Sequence, residues 1–423
     1  MAAPAHHPQT AAERLIGRTI AATWLLWLVG GLYIAGPVIG WLLAALVFVE
    51  LYLGRKSLAT IPALVWICFA AMAAMLVILW AGHSNFSLGT AQTIKSSIGW
   101  AKGWALIALF PLAGAVLDIR LPVIARAVCQ LGMWTLVILP LFLVAPFVGL
   151  PEMLWVSPLR VVGGPGPEYF ATILYTIEPG AGTPRWQFFA PWSPAAGMVA
   201  VIYIFIAAQE QNLSWRLVGF AGFLAIALLS QSRLALVAIA IVAPIAWAAA
   251  RVDRGWLWWL GAAGVLLVGL FGLELAAGIE QLASDFSSAR ADSSRVRAAL
   301  GRIALERWEN EAFWFGHGIV ENGPHLVEYM PIGSHHSWYG LLFVKGILGA
   351  IALAVPLFLT LGRLAWTARA GAIQRTGFAL VLVLVLYSFG ENLEILAYLF
   401  WPALILIGKA LAATPAGGMP VTQ

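Results

Sequence analysis

The chain has 423 residues, of which 61% are hydrophobic and 10% charged, with a formal net charge of +5. Soluble domains carry roughly 25% charged and about half apolar residues. A globule this apolar could not cover its surface with polar groups, so a soluble enzyme, a nucleic-acid binder and a disordered scaffold are excluded. The composition demands lipid as solvent, and the 42 Gly, 23 Pro and 21 Trp suit membrane helices and interfacial belts. The positive excess fits Lys and Arg flanking membrane spans on their cytoplasmic side. Cys68 and Cys129 lie inside apolar runs, which predicts two inert thiols rather than a disulfide framework.

About a dozen apolar segments, each near the ~20 residues that cross a bilayer, follow in chain order. The first two are Ala21 to Ala35 and Val38 to Leu53, joined by a turn at Gly36-Pro37. Next come Ile61 to Ala81, Ile98 to Leu117 and Ala127 to Gly149. Ala195 to Ala208, Leu217 to Leu229, Leu234 to Ala250 and Trp256 to Leu275 form a second group. Trp338 to Leu361, Phe378 to Phe389 and Ile395 to Ala412 close the series, the last two being either separate spans or one broken one.

The basic residues orient these segments. Arg14, Arg18, Arg55, Lys56, Arg120, Arg126, Arg216, Arg251, Arg254, Arg363, Arg369 and Arg375 all fall on one side when the spans alternate. The positive-inside rule makes that side the cytoplasm, with both termini there. No A-x-A site follows a short apolar core, so no removable signal peptide is expected. The expected fold is all-α: a polytopic membrane protein of about 12 transmembrane helices, one domain over 1–423. Two long connections, 150–194 and 276–337, lie on the opposite face, and loops of that length are usually functional.

The second connection carries Arg290, Arg295, Arg297, Arg302 and Arg307 on the side that should be poor in positive charge. The run from Ser294 to Asn310 is predicted as a helix, with Val296, Leu300 and Ile303 on one face and Arg295 and Arg302 on another. Such a helix either lies on lipid phosphates or binds a phosphorylated substrate, since guanidinium matches phosphate bidentately. Arg185, in PRWQFFAPWSP, and Arg233, in SQSRLAL, lie on the same face, and Arg233 is the only charge between Arg216 and Arg251. His335 and His336 stand at the membrane interface before the tenth segment, where imidazole suits a general base for a sugar hydroxyl. His317 and His325 read as ordinary loop polarity. A metal site of His, Glu321 and Glu328 matches no compact ligand pattern. Trp186, Phe188, Phe189, Trp192 and Trp338 offer aromatic faces to sugar or isoprenoid, or form an interfacial belt.

There is no D-x-D sequence, no phosphate-binding G-x-x-x-x-G-K-[ST], no H-E-x-x-H and no G-x-S-x-G. Arginines would have to supply positive charge themselves. Lys102, Lys345, Glu391 and Glu394 are the ionisable candidates for a competing class, a transporter of lipid-linked glycan. The sequence has no matching halves.

Four stretches together resemble the O-antigen ligase and polymerase superfamily of bacterial membrane glycosyltransferases: PRWQFFAPWSPAAG, SQSRLALVAIAI, DSSRVRAALGRIALERWENEAFWFGHG and SHHSWYGLLFVKGILG. The third matches the family's arginine, tryptophan and Gly-x-Gly at Arg295, Trp308, Gly316 and Gly318. The fourth matches a His-Asn-x-Tyr stretch ending in Gly-x-x-Gly, with His335 at the family histidine and His336 where asparagine is usual. The resemblance implies a GT-C-like helical fold and transfer of a glycan from undecaprenyl pyrophosphate at the periplasmic face of the inner membrane. The acceptor is lipid A–core in a ligase, which is favoured here, or a second carrier-linked glycan in a polymerase. It implies inverting transfer without a metal or cofactor. On this basis His335 and His336 are the candidate catalytic residues, and Arg185, Arg233, Arg295 and Arg302 the candidate pyrophosphate ligands.

Overall fold

The computed structural model describes residues 6–178, 182–288 and 291–413; Arg290 lies outside them. Helix α1 (Ala11–Ala21) opens on a capping box between Thr10 and Glu13. The Glu13 carboxylate is fully buried and accepts from Arg120 Nε at 2.7 Å and Nη2 at 2.8 Å. After α2 (Thr23–Leu28) the chain turns at Gly30, whose φ is +64°, and enters α3 (Leu32–Tyr52). The first two predicted segments are therefore displaced, because α3 runs straight through Gly36-Pro37. Gly36 is there for close packing: a Cβ on it would sit 2.4 Å from Tyr398 Cβ.

Helices α4 (Ala63–Asn85), α5 (Thr90–Lys102), α6 (Trp104–Val116) and α7 (Leu121–Val144) follow, with α5 and α6 meeting at Gly103. The first long connection folds two small antiparallel ribbons. Strand β1 (Met153–Val156) pairs with β2 (Ala171–Ile173), and β3 (Thr176–Ile177) with β4 (Pro184–Arg185). Then come α8 (Ser193–Ala207), α9 (Leu213–Leu229), α10 (Arg233–Ala249), α11 (Gly255–Ser288), α12 (Ala291–Glu311), α13 (Ser337–Thr367), α14 (Ala372–Ser388) and α15 (Leu393–Ala412). The last two predicted segments are thus separate helices.

The chain is a mostly helical, membrane-embedded protein. Among the described residues six stretches are long and apolar enough to span a membrane: α3, α4, α5 with α6, α7, α13 and α15. Helices α8, α9, α10 and α14, with residues 255–271, are apolar but shorter. Helices α6 and α15 touch backbone to backbone, since a Cβ on Gly114 would lie 1.9 Å from Ile405 O, and one on Gly408 1.9 Å from Pro111 O. In lipid, helices associate through such small residues because burial of apolar surface no longer drives them together.

Helix α13 is broken at Gly346, which has φ +63°. In an intact helix Ile347 N–H and Leu348 N–H would donate to Phe343 O and Val344 O. Here they donate to Phe313 O at 2.9 Å and Trp314 O at 3.4 Å, and the freed carbonyls accept from His317 N at 2.8 Å and Gly318 N at 2.9 Å. The segment 313–318 is laid into the gap. Gly316 and Gly346 make this possible, for a Cβ on the first would lie 2.3 Å from Lys345 N and one on the second 2.4 Å from Trp314 C. Gly316→Ala or Gly346→Ala should each lower the apparent Tm of the detergent-solubilised protein by several degrees. Gly99→Ala, with nothing within 4 Å of the new Cβ, should leave it unchanged or raise it. Thermal unfolding followed by tryptophan fluorescence checks both.

Candidate functional site

The N-termini of α8, α10, α13 and α15 and the C-termini of α9 and α14 meet at one end of the bundle. Helix N-termini present unpaired N–H groups and partial positive charge, which favours anions. Close packing welds the turns. A Cβ on Gly197 would lie 2.4 Å from Ser232 Cβ, and one on Gly390 2.9 Å from Leu234 Cδ2. Strand β4 runs beside the turn between α9 and α10. Arg185, only 12% exposed in its side chain, donates from Nε to Ser230 O at 3.1 Å and from Nη1 to Glu178 Oε2 at 2.9 Å. It braces the turn from which Arg233 starts α10.

Trp192, the residue before α8, links this turn to the two histidines. Its Nε1 donates to Glu391 Oε2 at 2.9 Å. Its ring meets that of His335 nearly edge-on, with centroids 5.9 Å apart. Glu391 sits in the turn between α14 and α15 and is fully buried, and its Oε1 finds no hydrogen-bond partner among the described residues. The backbone anchors that turn: Ser337 Oγ donates to Glu391 O at 2.7 Å and accepts from Leu393 N at 3.0 Å. Burial pushes the Glu391 carboxyl up to about 7, against the pull of the Arg297 guanidinium and the Trp192 N–H.

The histidines have different surroundings. His336 caps α13. Its Nδ1 accepts from Tyr339 N at 3.2 Å, its N–H donates to Asn392 Oδ1 at 2.9 Å, and its ring stacks on Tyr339 at 3.8 Å. Burial holds its imidazole down to about 4. His335 has φ +60°, a left-handed conformation unusual for a residue with a Cβ. Its Nδ1 is buried without a hydrogen-bond partner among the described residues. Burial and then the Arg297 charge bring it down to about 4, so it is neutral at pH 7. One arginine thus acts on both His335 and Glu391.

That arginine belongs to α12, which the sequence placed at Ser294 to Asn310. Val296, Ala299, Leu300 and Ala304 are buried, and Val296, Ala299 and Leu300 pack on Val327. Arg295, Arg297 and Arg302 are all exposed. At 100° per residue, Arg295 and Arg302 fall on one edge of the buried stripe and Arg297 on the other. Gly301, whose Cβ would lie 2.7 Å from the Tyr339 ring, fixes which edge faces α13. The structure thus joins His335, Glu391 and Trp192, with the charge of Arg297 felt by the first two, Arg233 at the adjoining turn and Arg185 on β4 beside it. The spacing argument had favoured Arg295 and Arg302, and had assigned Glu391 to transport.

Two other readings are revised. His317 lies in the connection but is only 2% exposed and is not ordinary loop polarity: Nδ1 donates to Phe343 O at 3.0 Å and Nε2 pairs with Glu311 Oε2 at 2.8 Å. Arg307 binds Glu311 and Glu321 and lies over the Phe343 ring at 5.1 Å. These bonds, from Arg307 first and His317 next, hold the Glu311 carboxyl at about 2. They latch α12 onto the broken helix. Trp186, Phe188 and Phe189 form neither belt nor platform; they are buried with Trp24, Trp27 and Phe142. Among the described residues no three His, Cys, Asp or Glu side chains are grouped to hold a metal ion.

The fold defines a mostly helical, polytopic membrane protein, with a cluster of buried titratable side chains at one end of the bundle. No protein-family model matches the chain, and no curated protein matches its sequence.

The Glu391 environment has a consequence for stability. The folded carboxyl keeps its proton up to about 7, whereas the unfolded one loses it near 4.5. The resulting stabilisation is complete below 4.5 and is lost as pH rises through 7. Glu391→Gln removes that loss. The Tm of the variant minus that of the wild type should therefore grow by a few degrees between pH 4.5 and 7.5. A difference that stays constant across that range refutes the assignment.

Proposed function

We propose that the protein is a membrane glycosyltransferase of the O-antigen ligase type. It moves a glycan from an undecaprenyl-pyrophosphate carrier to a hydroxyl of lipid A–core, at the periplasmic face of the bacterial inner membrane. The observation that carries this reading is the meeting, at four helix N-termini, of the turns bearing Arg233, His335 and Glu391 with Arg185 of β4 and Trp192. In this reading the bundle crosses the bilayer twelve times, with α1 and α2 as the first crossing and each shorter apolar helix as one more. The Arg- and Lys-bearing turns at the other end then lie in the cytoplasm.

The chemistry follows from the groups present. The acceptor oxygen attacks the anomeric carbon as the bond to the pyrophosphate oxygen breaks. The leaving group departs with the electron pair, and the carbon is inverted. Charge grows on the pyrophosphate, where fixed donors count most in a site of low dielectric. Arg233 supplies positive charge from a turn that Arg185 holds rigid. Neutral His335 accepts a hydrogen bond from the attacking hydroxyl and orients it. The proton ends on Glu391, whose affinity for it matches neutral pH, while Arg297 steadies the carboxylate.

The test is incubation of the purified protein with carrier-linked glycan, alone and with lipid A–core. A product on the core is expected; longer carrier-linked chains instead would make the protein a polymerase, and no covalent product in either tube would refute transfer. His335→Ala should cut the rate by about 10²-fold or more. His336→Asn, which keeps a capping side chain, should cut it far less. Arg297→Lys should lose about tenfold or more, because a point charge cannot replace a planar fork, and should cost more than Arg302→Lys. Wild-type transfer should rise with pH through about 7 as Glu391 ionises, and in Glu391→Gln that rise should vanish.

A further inference from the structure

Next to Trp192 stands a second group of polar side chains that the transfer chemistry does not use. Tyr33 of α3, Tyr169 of the turn Pro167–Phe170 and Tyr398 of α15 are all buried. Their rings form a triangle, with Tyr33 5.2 Å from each of the others and those two 6.1 Å apart. The buried Tyr203 and the partly buried Tyr175 hydroxyls donate to Leu399 O and Leu150 O. The three hydroxyls of the triangle have no hydrogen-bond partner among the described residues. Glu168 beside them is half-buried and makes no ion pair or hydrogen bond among the described residues. A Cβ on Gly166 would collide with both of its carboxylate oxygens, so the acid folds back over its own turn. Burial first, and then the charges of Tyr398, Glu168 and Tyr33, hold the Tyr169 hydroxyl well above its ordinary value. Glu168, Tyr169 and Tyr398, with Trp27, Phe189 and Pro191, line a cavity of about 10 Å³. Tyr169 meets the Trp192 ring edge-on at 5.7 Å, and Trp192 in turn touches Glu391 and His335.

We propose that this cavity binds a primary ammonium group, one aromatic ring away from the cluster of His335 and Glu391. Three observations select that chemistry. The first is sign. The charged side chain in the wall is a carboxylate without a counter-ion among the described residues, and aromatic faces attract cations. The second is size. About 10 Å³ admits one water-sized group. An –NH₃⁺ head enters such a space, whereas a sugar ring or a trimethylammonium head does not. The third is the count of partners. An –NH₃⁺ head has three N–H donors, and the Glu168 carboxylate with the Tyr169 and Tyr398 oxygens offers three acceptors. The cavity lies at the same end of the bundle as the cluster, beside Gly30 at the turn between α2 and α3. The amine headgroup of a phospholipid and a small free amine both carry this chemistry. The assignment makes no use of the transfer reading and stands or falls without it.

The experiment titrates ethanolamine, as its ammonium, into the purified full-length protein in phosphatidylglycerol nanodiscs. Calorimetry reads the binding, and the Tm followed by tryptophan fluorescence reads its effect. Ethanolamine should bind saturably and raise the Tm. Ethylene glycol, which replaces the ammonium with a hydroxyl, choline, whose head is too large, and potassium chloride should do neither. Glu168→Gln should weaken ethanolamine binding about tenfold or more, since it removes a hydrogen bond between two charged groups. Tyr398→Phe, which keeps the ring, should weaken it about threefold or more and carries the test should the first variant fail to fold. Native mass spectrometry with equal amounts of phosphatidylethanolamine and phosphatidylglycerol separates the two sources. Phosphatidylethanolamine retained above phosphatidylglycerol by the wild type, with that preference lost in Glu168→Gln, identifies the headgroup. No such preference, with ethanolamine bound, identifies a free amine. Equal binding of ethylene glycol, choline or potassium overturns the proposal. So do unchanged binding in both variants, and a wild type that neither binds ethanolamine nor prefers phosphatidylethanolamine.

Discussion

Inside a bilayer no water is present to satisfy a broken helix, so every freed N–H and C=O must find protein. At Gly346 α13 gives up its own ladder, and the segment 313–318 replaces it with two acceptors and two donors. This exchange ties the second long connection to the bundle from within. Both sides of the contact are glycines at positive φ, held closer than any Cβ would allow. At the same junction Gly318 O accepts from His83 Nε2 at 3.0 Å. Residues 313–318 are therefore a fixed part of the fold and no free loop.

Its rigidity passes outward along the chain. Immediately before the inserted segment stands α12, and the Arg307–Glu311–His317 latch joins that helix to the same junction. After the further residues 319–336 the chain enters α13. The C-terminal half of α12 is thereby oriented against α13, and Gly301 on Tyr339 sets the rotation. That rotation turns Arg297 toward His335 and Glu391 and leaves Arg295 and Arg302 on the opposite edge. A cation beside a buried carboxyl and a buried imidazole moves both downward, but burial moves the carboxyl up and the imidazole down. The two effects oppose each other on Glu391 and add on His335. Hence the carboxyl stays near neutrality while the histidine is uncharged.

The helices were legible because lipid-facing sequence is monotonously apolar, and most predicted segments coincide with observed ones. The failure at Gly36-Pro37 has a physical cause. The pair has the composition of a turn, yet Gly36 serves contact with Tyr398, and membrane helices tolerate an interior proline. The arginines were legible as a group and not as individuals. A seven-residue spacing says which side chains share a face, but only the partner helix says which face matters. Glu391 was noticed as an ionisable residue near a membrane. Its place beside Trp192, 199 positions earlier, is a tertiary fact with no local signal. The aromatic run after Arg185 misled in the opposite direction, since clustered Trp and Phe look alike in a belt and in a core.

The paired histidines show how one local geometry divides labour between neighbours. A residue that precedes a helix must satisfy the orphan N–H groups of the first turn, usually with a short polar side chain. His336 does this with Nδ1, which commits that nitrogen and its stacked ring to α13. His335, one residue earlier, is forced into left-handed backbone by the same turn, and its ring points toward Trp192 instead. A buried imidazole nitrogen without a partner is costly, and so is a buried carboxylate oxygen in the same condition. Both occur within reach of one tryptophan. In the proposed transfer, a hydroxyl that donates to the first and releases its proton to the second relieves both at once.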